Sequence, residues 1–318
     1  MSRRKFIAGL GAAALTGFRA RAQTNAVLRK KEESNQLAHR TPKIDFFYCA
    51  HEMKHFDFPN YAQTFANAKK EGHPYNTVFL EFAELTHQEK ARLEQIIDRN
   101  AEALIAISKK TVANQRGAND PVLNQKYFQE FLRLCPLQNN FVLHSLLVAF
   151  ANDVRRVRFI ESYSQREIEQ HFKSRAGEEM GVEDYVKTFA RFVKFRNQRM
   201  GETIFELRKK ADTDPYYANN PLRAMTILGA GHGGFNLEHG THNEVVKRIR
   251  ANGGKTSIGV ISTFNQALKP TNFREILEAE AVRLAQKSSV EIESYKIPKK
   301  LYDLGEQLLK MQKKNAGK

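Results

Sequence analysis

Apolar residues along this chain fall into short dense runs and longer spaced patterns, and the two alternate. Ile44–Cys49 (IDFFYC) is a compact apolar run, as are Thr77–Phe82 (TVFLEF), Val157–Glu161 (VRFIE), Arg223–Leu228 and Lys255–Thr263. Runs of this length bounded by polar residues predict buried strands. Between them lie helical patterns at Tyr61–Lys70, from Thr86 to about Lys110, at Pro121–Leu134, at Phe141–Asp153 and at about Val182–Lys210. Thr86-His87-Gln88-Glu89 and Thr241-His242-Asn243-Glu244 both read as capping boxes, the second opening a helix through Arg250. A short strand at Val290–Tyr295 and a Lys-rich final helix complete the reading. Strand–helix–strand spacing predicts an α/β fold: a mainly parallel central sheet flanked by helices, with a large helical insertion at about 86–155 and 163–212. The domain spans 43–298, with a basic tail at 299–318.

The first residues change the picture. Met1-Ser2-Arg3-Arg4-Lys5-Phe6 carries two adjacent arginines, followed by a mildly apolar stretch from Ala8 to Phe18 and an Ala20-Arg21-Ala22 site. Charged start, short apolar core and small-residue cleavage site are the anatomy of a twin-arginine signal peptide over residues 1–22. Cleavage after Ala22 and a periplasmic or otherwise exported location are expected. Polar, aperiodic residues 23–42 read as a flexible leader. No later run is apolar and long enough for a transmembrane span.

The chain carries a formal net charge of +16, and five of the positive charges leave with the signal, so the mature form carries +11. In the cytoplasm such a charge would suggest nucleic acid. Export argues against that partner and for either an anionic envelope surface or a merely soluble basic face. The two cysteines, Cys49 and Cys135, exclude a disulfide-rich scaffold and a four-cysteine zinc site. The compartment allows one disulfide between them, while a buried free thiol is the default for Cys49.

Candidate chemistry collects at the predicted strand ends, where parallel α/β sheets bind ligands. His51, Glu52 and His55 follow the first strand, Glu81 lies near the end of the second, Glu161 at the end of the third, and His232 just after the fourth. Glu161 has the weakest claim, since a carboxylate at a strand end is commonly solvated. His51-Glu52-Met53-Lys54-His55 matches the H-E-x-x-H zinc motif. That motif needs a helix through both histidines, and a strand-like run before it and Pro59 after it argue against one. The other reading makes the run a loop whose partner is the glycine-rich segment around Gly229, Gly231 and His232. His239 and His242 are read mainly as loop and cap residues, and His144 as a core histidine.

Several blocks carry a family resemblance: Gly229-Ala230-Gly231-His232 after Thr226-Ile227-Leu228, Arg196-Asn197-Gln198-Arg199-Met200 on a helix, and Glu81 within Phe79-Leu80-Glu81-Phe82. Together they resemble the superfamily of Tiki proteases, TraB-type pheromone-shutdown proteins, erythromycin esterases and ChaN-like haem-binding proteins. The early family motif, Gly-x-x-His, is not kept: Ala50–His55 has no glycine and an extra residue, so either His51 or His55 fills the position. The resemblance implies a hydrolase of peptide or ester bonds. Glu52, Glu81 and His232 are its candidate catalytic residues, Arg196, Gly229 and Gly231 its candidate substrate-binding residues, and His51, His55, Glu81 and His232 its candidate metal ligands. Imidazole with carboxylate suits Zn, Mn, Co or Fe. The same residues without metal could activate water directly, as in the esterase-like branch. Arg196 either binds an anionic substrate group or clamps Glu81. The alternative of another class is a haem- or iron-binding protein of ChaN type, with Tyr48, His51, His55 and His232 as axial ligands.

Overall fold

The computed structural model describes residues 41–49, 58–82, 85–113, 125–137, 139–161, 181–229, 232, 240–262, 273–287 and 289–303. The signal, most of the leader, the His51–His55 run and Gly231 lie outside the described residues. One compact unit runs from Pro42 onward.

Five strands form a single sheet: β1 (Lys43–Cys49), β2 (Thr77–Leu80), β3 (Arg156–Phe159), β4 (Arg223–Gly229) and β5 (Ser257–Ser262). The order across the sheet is β3-β2-β4-β1-β5 and every pairing is parallel. The fold is therefore α/β with a parallel central sheet flanked by helices. The connection β1–β2 holds α1 (Phe58–Lys70), and β2–β3 holds α2 (His87–Ala113), α3 (Gln125–Leu134) and α4 (Asn140–Ala151). A long α5 (Val182–Ala211) leads to β4, and α6 (Thr241–Ala251) joins β4 to β5. After β5 come α7 (Phe273–Ala285) and α8 (Ser289–Ser294).

Alternation along each strand sends side chains to opposite faces, and two cores result. Phe47, Cys49, Val78, Leu80, Val157, Met225 and Ile227 pack under α1–α4 with Tyr61, Phe65, Ile97, Leu104, Phe131 and Phe150. Ile44, Phe46, Tyr48, Phe79, Ala224 and Leu228 pack under α5 and α6 with Met200, Ile204, Val245 and Ile249. β1, β2 and β4 are buried on both faces, and such strands read as continuous apolar runs, which is why the sequence shows these three so plainly. A third, smaller cluster joins α5 to α7 and α8 through Val186, Ala190, Leu277, Ala281 and Ile292.

Two local expectations are corrected. Val290–Tyr295 is not a strand: residues Ser289–Ser294 form α8, with Ile292 buried and Val290 exposed. Its alternating pattern was too short to separate the two periods, and Ile292 and Tyr295, three apart, share the face that meets α5 and α7. The second capping box also fails. Gly240 is the N-cap of α6 and Thr241 is its first helical residue, so the Thr241 hydroxyl caps nothing. By contrast, the first box forms: Thr86 N donates to Glu89 Oε2 at 2.8 Å, and Glu89 N to Thr86 Oγ1 at 3.3 Å. Among the described residues no helix is long and apolar enough to cross a membrane. Cys49 and Cys135 are both free and buried.

Candidate active site at the carboxyl edge of the sheet

The sheet order places a topological switch between β2 and β4. The chain leaves β2 toward the α2 side and β4 toward the α6 side, and such divergence opens the crevice where α/β folds bind ligands. Glu81 lies across that gap. Its N–H continues the ladder by donating to Ile227 O at 3.2 Å. Its Oε2 accepts from the N–H of Gly229, the last residue of β4, at 2.6 Å. Glu81 is thus held to β4 twice, by its main-chain N–H and by its carboxylate, and Gly229 serves the carboxylate as a hydrogen-bond donor.

Arg196 reaches the same carboxylate from α5. Its Nη2 donates to Glu81 Oε1 at 2.6 Å and also bonds Glu161 Oε1, while Nε donates to Glu161 Oε1 at 3.1 Å. Of the two expected roles for Arg196, the clamp on Glu81 is the one seen. Glu161, expected to be solvated, has a wholly buried side chain. Its Oε2 is buried without a hydrogen-bond partner. Burial first, and then the negative charge of Glu81, push its carboxyl up to about 7, against the opposing pull of Arg196 and Lys90. Lys90 joins from α2, donating to the Glu161 main-chain oxygen at 2.6 Å. Burial draws its ammonium below the ordinary lysine range, with Glu161 and Glu94 opposing. Burial lowers the Arg196 guanidinium too, but Glu81 and Glu161 more than reverse that.

His232 is buried, with an acceptor oxygen beside each ring nitrogen. Nδ1 lies 2.6 Å from Asn197 Oδ1, and Nε2 lies 3.2 Å from Glu81 Oε1. Asn197, the residue after Arg196, also accepts from Thr241 Oγ1 at 3.1 Å. Because Asn197 presents an oxygen, Nδ1 carries the ring hydrogen. The Nε2 lone pair then faces a carboxylate oxygen, and two such lone pairs need a proton or a metal ion between them. A histidine oriented through its other nitrogen is the usual arrangement for a metal ligand. Glu81 and His232 therefore suit a cation of the Zn, Mn, Co or Fe type as well as a proton.

Sequence reasoning brought Glu81, Arg196, Gly229 and His232 to this point, and all four meet there. Asn197 stands out in the sequence only within the Arg196–Met200 resemblance block, and nothing in the local sequence marks Lys90 or Thr241 as site neighbours. Glu52, His51, His55 and Gly231 lie outside the described residues. Tyr48 ends on the same edge, but its hydroxyl is 2.7 Å from His242 Nδ1 and accepts from His242 N at 3.3 Å. Burial raises that phenol far above its ordinary value, so it stays protonated. The Cys49 thiol is likewise held well up, by burial and then by Glu81. Nucleophilic cysteine chemistry needs the thiolate, which this setting disfavours. Among the described residues no three His, Cys, Asp or Glu side chains converge as a complete metal cage. Comparisons with protein-family models, with curated proteins and with solved structures found no match.

Proposed function

We propose that this chain is an exported hydrolase of the Tiki, TraB, erythromycin esterase and ChaN-like kind, cleaving a peptide or ester bond with Glu81 and His232. The observation that supports this best is the 3.2 Å approach of His232 Nε2 to Glu81 Oε1, with the histidine oriented by Asn197. A base of this kind takes a proton from water as the water oxygen attacks a carbonyl carbon. Arg196 and the Gly229 N–H hold the Glu81 carboxylate aimed. A divalent metal held by Glu81 and His232, with His51 or His55, would lower the pKa of a bound water and polarise the carbonyl. Arg196, occupied by two carboxylates, acts in this reading by positioning Glu81 rather than by binding an anionic substrate group.

The test uses mature protein exported through its own signal. Elemental analysis and an absorption spectrum are taken on one sample, followed by hydrolysis of p-nitrophenyl esters and fluorescence-quenched casein. Expected are activity in the wild type and its loss, by about a hundredfold or more, in His232→Ala and Glu81→Gln. Stoichiometric metal with activity lost on chelation supports the metal form, whereas full activity in metal-free protein leaves the water-activating pair alone. No hydrolysis of either substrate class, together with a Soret band on haem titration, overturns the hydrolase reading in favour of haem binding.

A further inference from the structure

Thr241 departs from its expected role in an informative way. As the first residue of α6 rather than its N-cap, it has a hydroxyl free of capping duty. It is completely buried, and the hydroxyl is spent on Asn197 Oδ1. The helix crossing that permits this is unusually close. Gly201, on α5 one turn beyond Asn197, lies against α6: a Cβ built there would sit 2.6 Å from Glu244 Cβ and 3.5 Å from Thr241 O. Real carbon atoms do not approach to 2.6 Å, so any side chain at position 201 forces α6 away. Next to Thr241, His242 is tied to Tyr48 at the end of β1. The first turn of α6 is thus fixed to both α5 and the sheet.

The consequence falls on a carboxamide. Asn197 could turn either its oxygen or its NH2 toward His232, and the two choices give opposite histidine tautomers. In the structure the Thr241 hydroxyl donates to Oδ1 at 3.1 Å, the bond that accompanies the oxygen-toward-His232 orientation. We propose that Thr241, brought into reach by the close crossing at Gly201, is a positioning residue that sets the tautomer of His232 through Asn197. With Oδ1 toward His232, Nδ1 keeps its hydrogen, and Nε2 is the nitrogen left to exchange a proton with Glu81 or to bind a metal. With the amide reversed, the hydrogen moves to Nε2, and neither water activation nor metal binding at that nitrogen is available. The inference rests on the proposed role of His232, but its readout does not depend on hydrolysis.

The experiment is long-range 1H–15N correlation spectroscopy on the full mature chain labelled at histidine nitrogens, with the His232 signals assigned by their loss in His232→Gln. In the neutral form of the wild type, His232 is expected as the Nδ1–H tautomer with Nε2 unprotonated. Thr241→Val keeps the shape and removes the hydroxyl, and should shift the pattern toward Nε2–H; Thr241→Ser should keep the wild-type pattern. Gly201→Ala keeps the hydroxyl in the chain but displaces α6 and carries it away from Asn197, and should reproduce the valine result. A wild-type Nε2–H tautomer overturns the proposal whatever the variants do. So does an unchanged pattern in folded Thr241→Val, or a serine variant that behaves like valine. If hydrolysis proves absent while the tautomer responds as expected, the hydrolase reading fails and this inference stands.

Discussion

Arg196 and Glu161 form an ion pair in which the carboxylate is fully buried and the guanidinium is simultaneously bonded to Glu81. One cation is therefore divided between two acids. Removing it leaves both carboxylates buried without their direct counter-charge, and breaking a buried pair from one side costs about 3–5 kcal/mol. Arg196→Met is expected to lower the urea midpoint by a corresponding amount at neutral pH, read by circular dichroism. Arg196→Lys should recover only part, because an ammonium lacks the planar fork that reaches both acids.

Glu161 should give the fold a distinctive pH dependence. Its folded carboxyl is raised to about 7, by burial first and by Glu81 second, against about 4.3 in an unfolded chain. Between those values the native state holds a proton that the unfolded state has lost. Stability from this group is therefore fully present below about pH 4 and declines as pH rises toward 7, by at most about 1.4 kcal/mol per pH unit. Glu161→Gln should flatten that part of the stability profile, measured by denaturant titration at a series of pH values. An equally steep decline in the variant would assign the slope to another group.

A second close approach sits within the sheet. Asp45 on β1 is paired with Gly259 on β5, and a Cβ at Gly259 would overlap the Asp45 carboxylate. That carboxylate is buried and accepts from Tyr75 Oη at 2.5 Å, with Lys43 Nζ at 2.8 Å. Gly259→Ala should destabilise by about 1–3 kcal/mol, the usual range for overpacking, and chemical denaturation would show it. Adding Asp45→Ala should remove most of the further cost of the alanine at 259, since the two side chains would no longer collide.

At the other end of the chain, Arg3→Lys with Arg4→Lys should stop export if the twin-arginine reading is right. Fractionation would then find the precursor in the cytoplasm at its uncut length. Continued export of the double variant would remove that reading.

The fold class was legible because the three inner strands, β1, β2 and β4, are buried on both faces and leave a continuous hydrophobic signature, while the edge strands β3 and β5 still carry short apolar runs. Strand order was not legible: nothing local in Ile44–Cys49 says that its neighbours are β4 and β5. Within the site, residues attached to strand ends were readable because parallel sheets bind ligands there. Lys90 and Thr241 were not, since each enters from a helix and its role depends on how that helix crosses the sheet. Glu161 was misread for the same reason: the strand end is covered by α5, which brings Arg196 over it. The Thr241 box misled because a hydroxyl in a first turn can serve the helix or a neighbour, and the sequence does not say which.

The position of β1 has a kinetic consequence. It is the first strand made, yet both of its partners, β4 and β5, come from the last third of the chain, with Lys43 opposite Arg223 on one side and Ser257 on the other. Until those residues are synthesised, a segment bearing Phe46, Phe47 and Tyr48 has no strand to pair with. Pairings so distant in sequence are slow to close, and an unpaired aromatic strand invites association with other chains. The oldest strand therefore finds its place in the sheet only after the last third of the chain has been made.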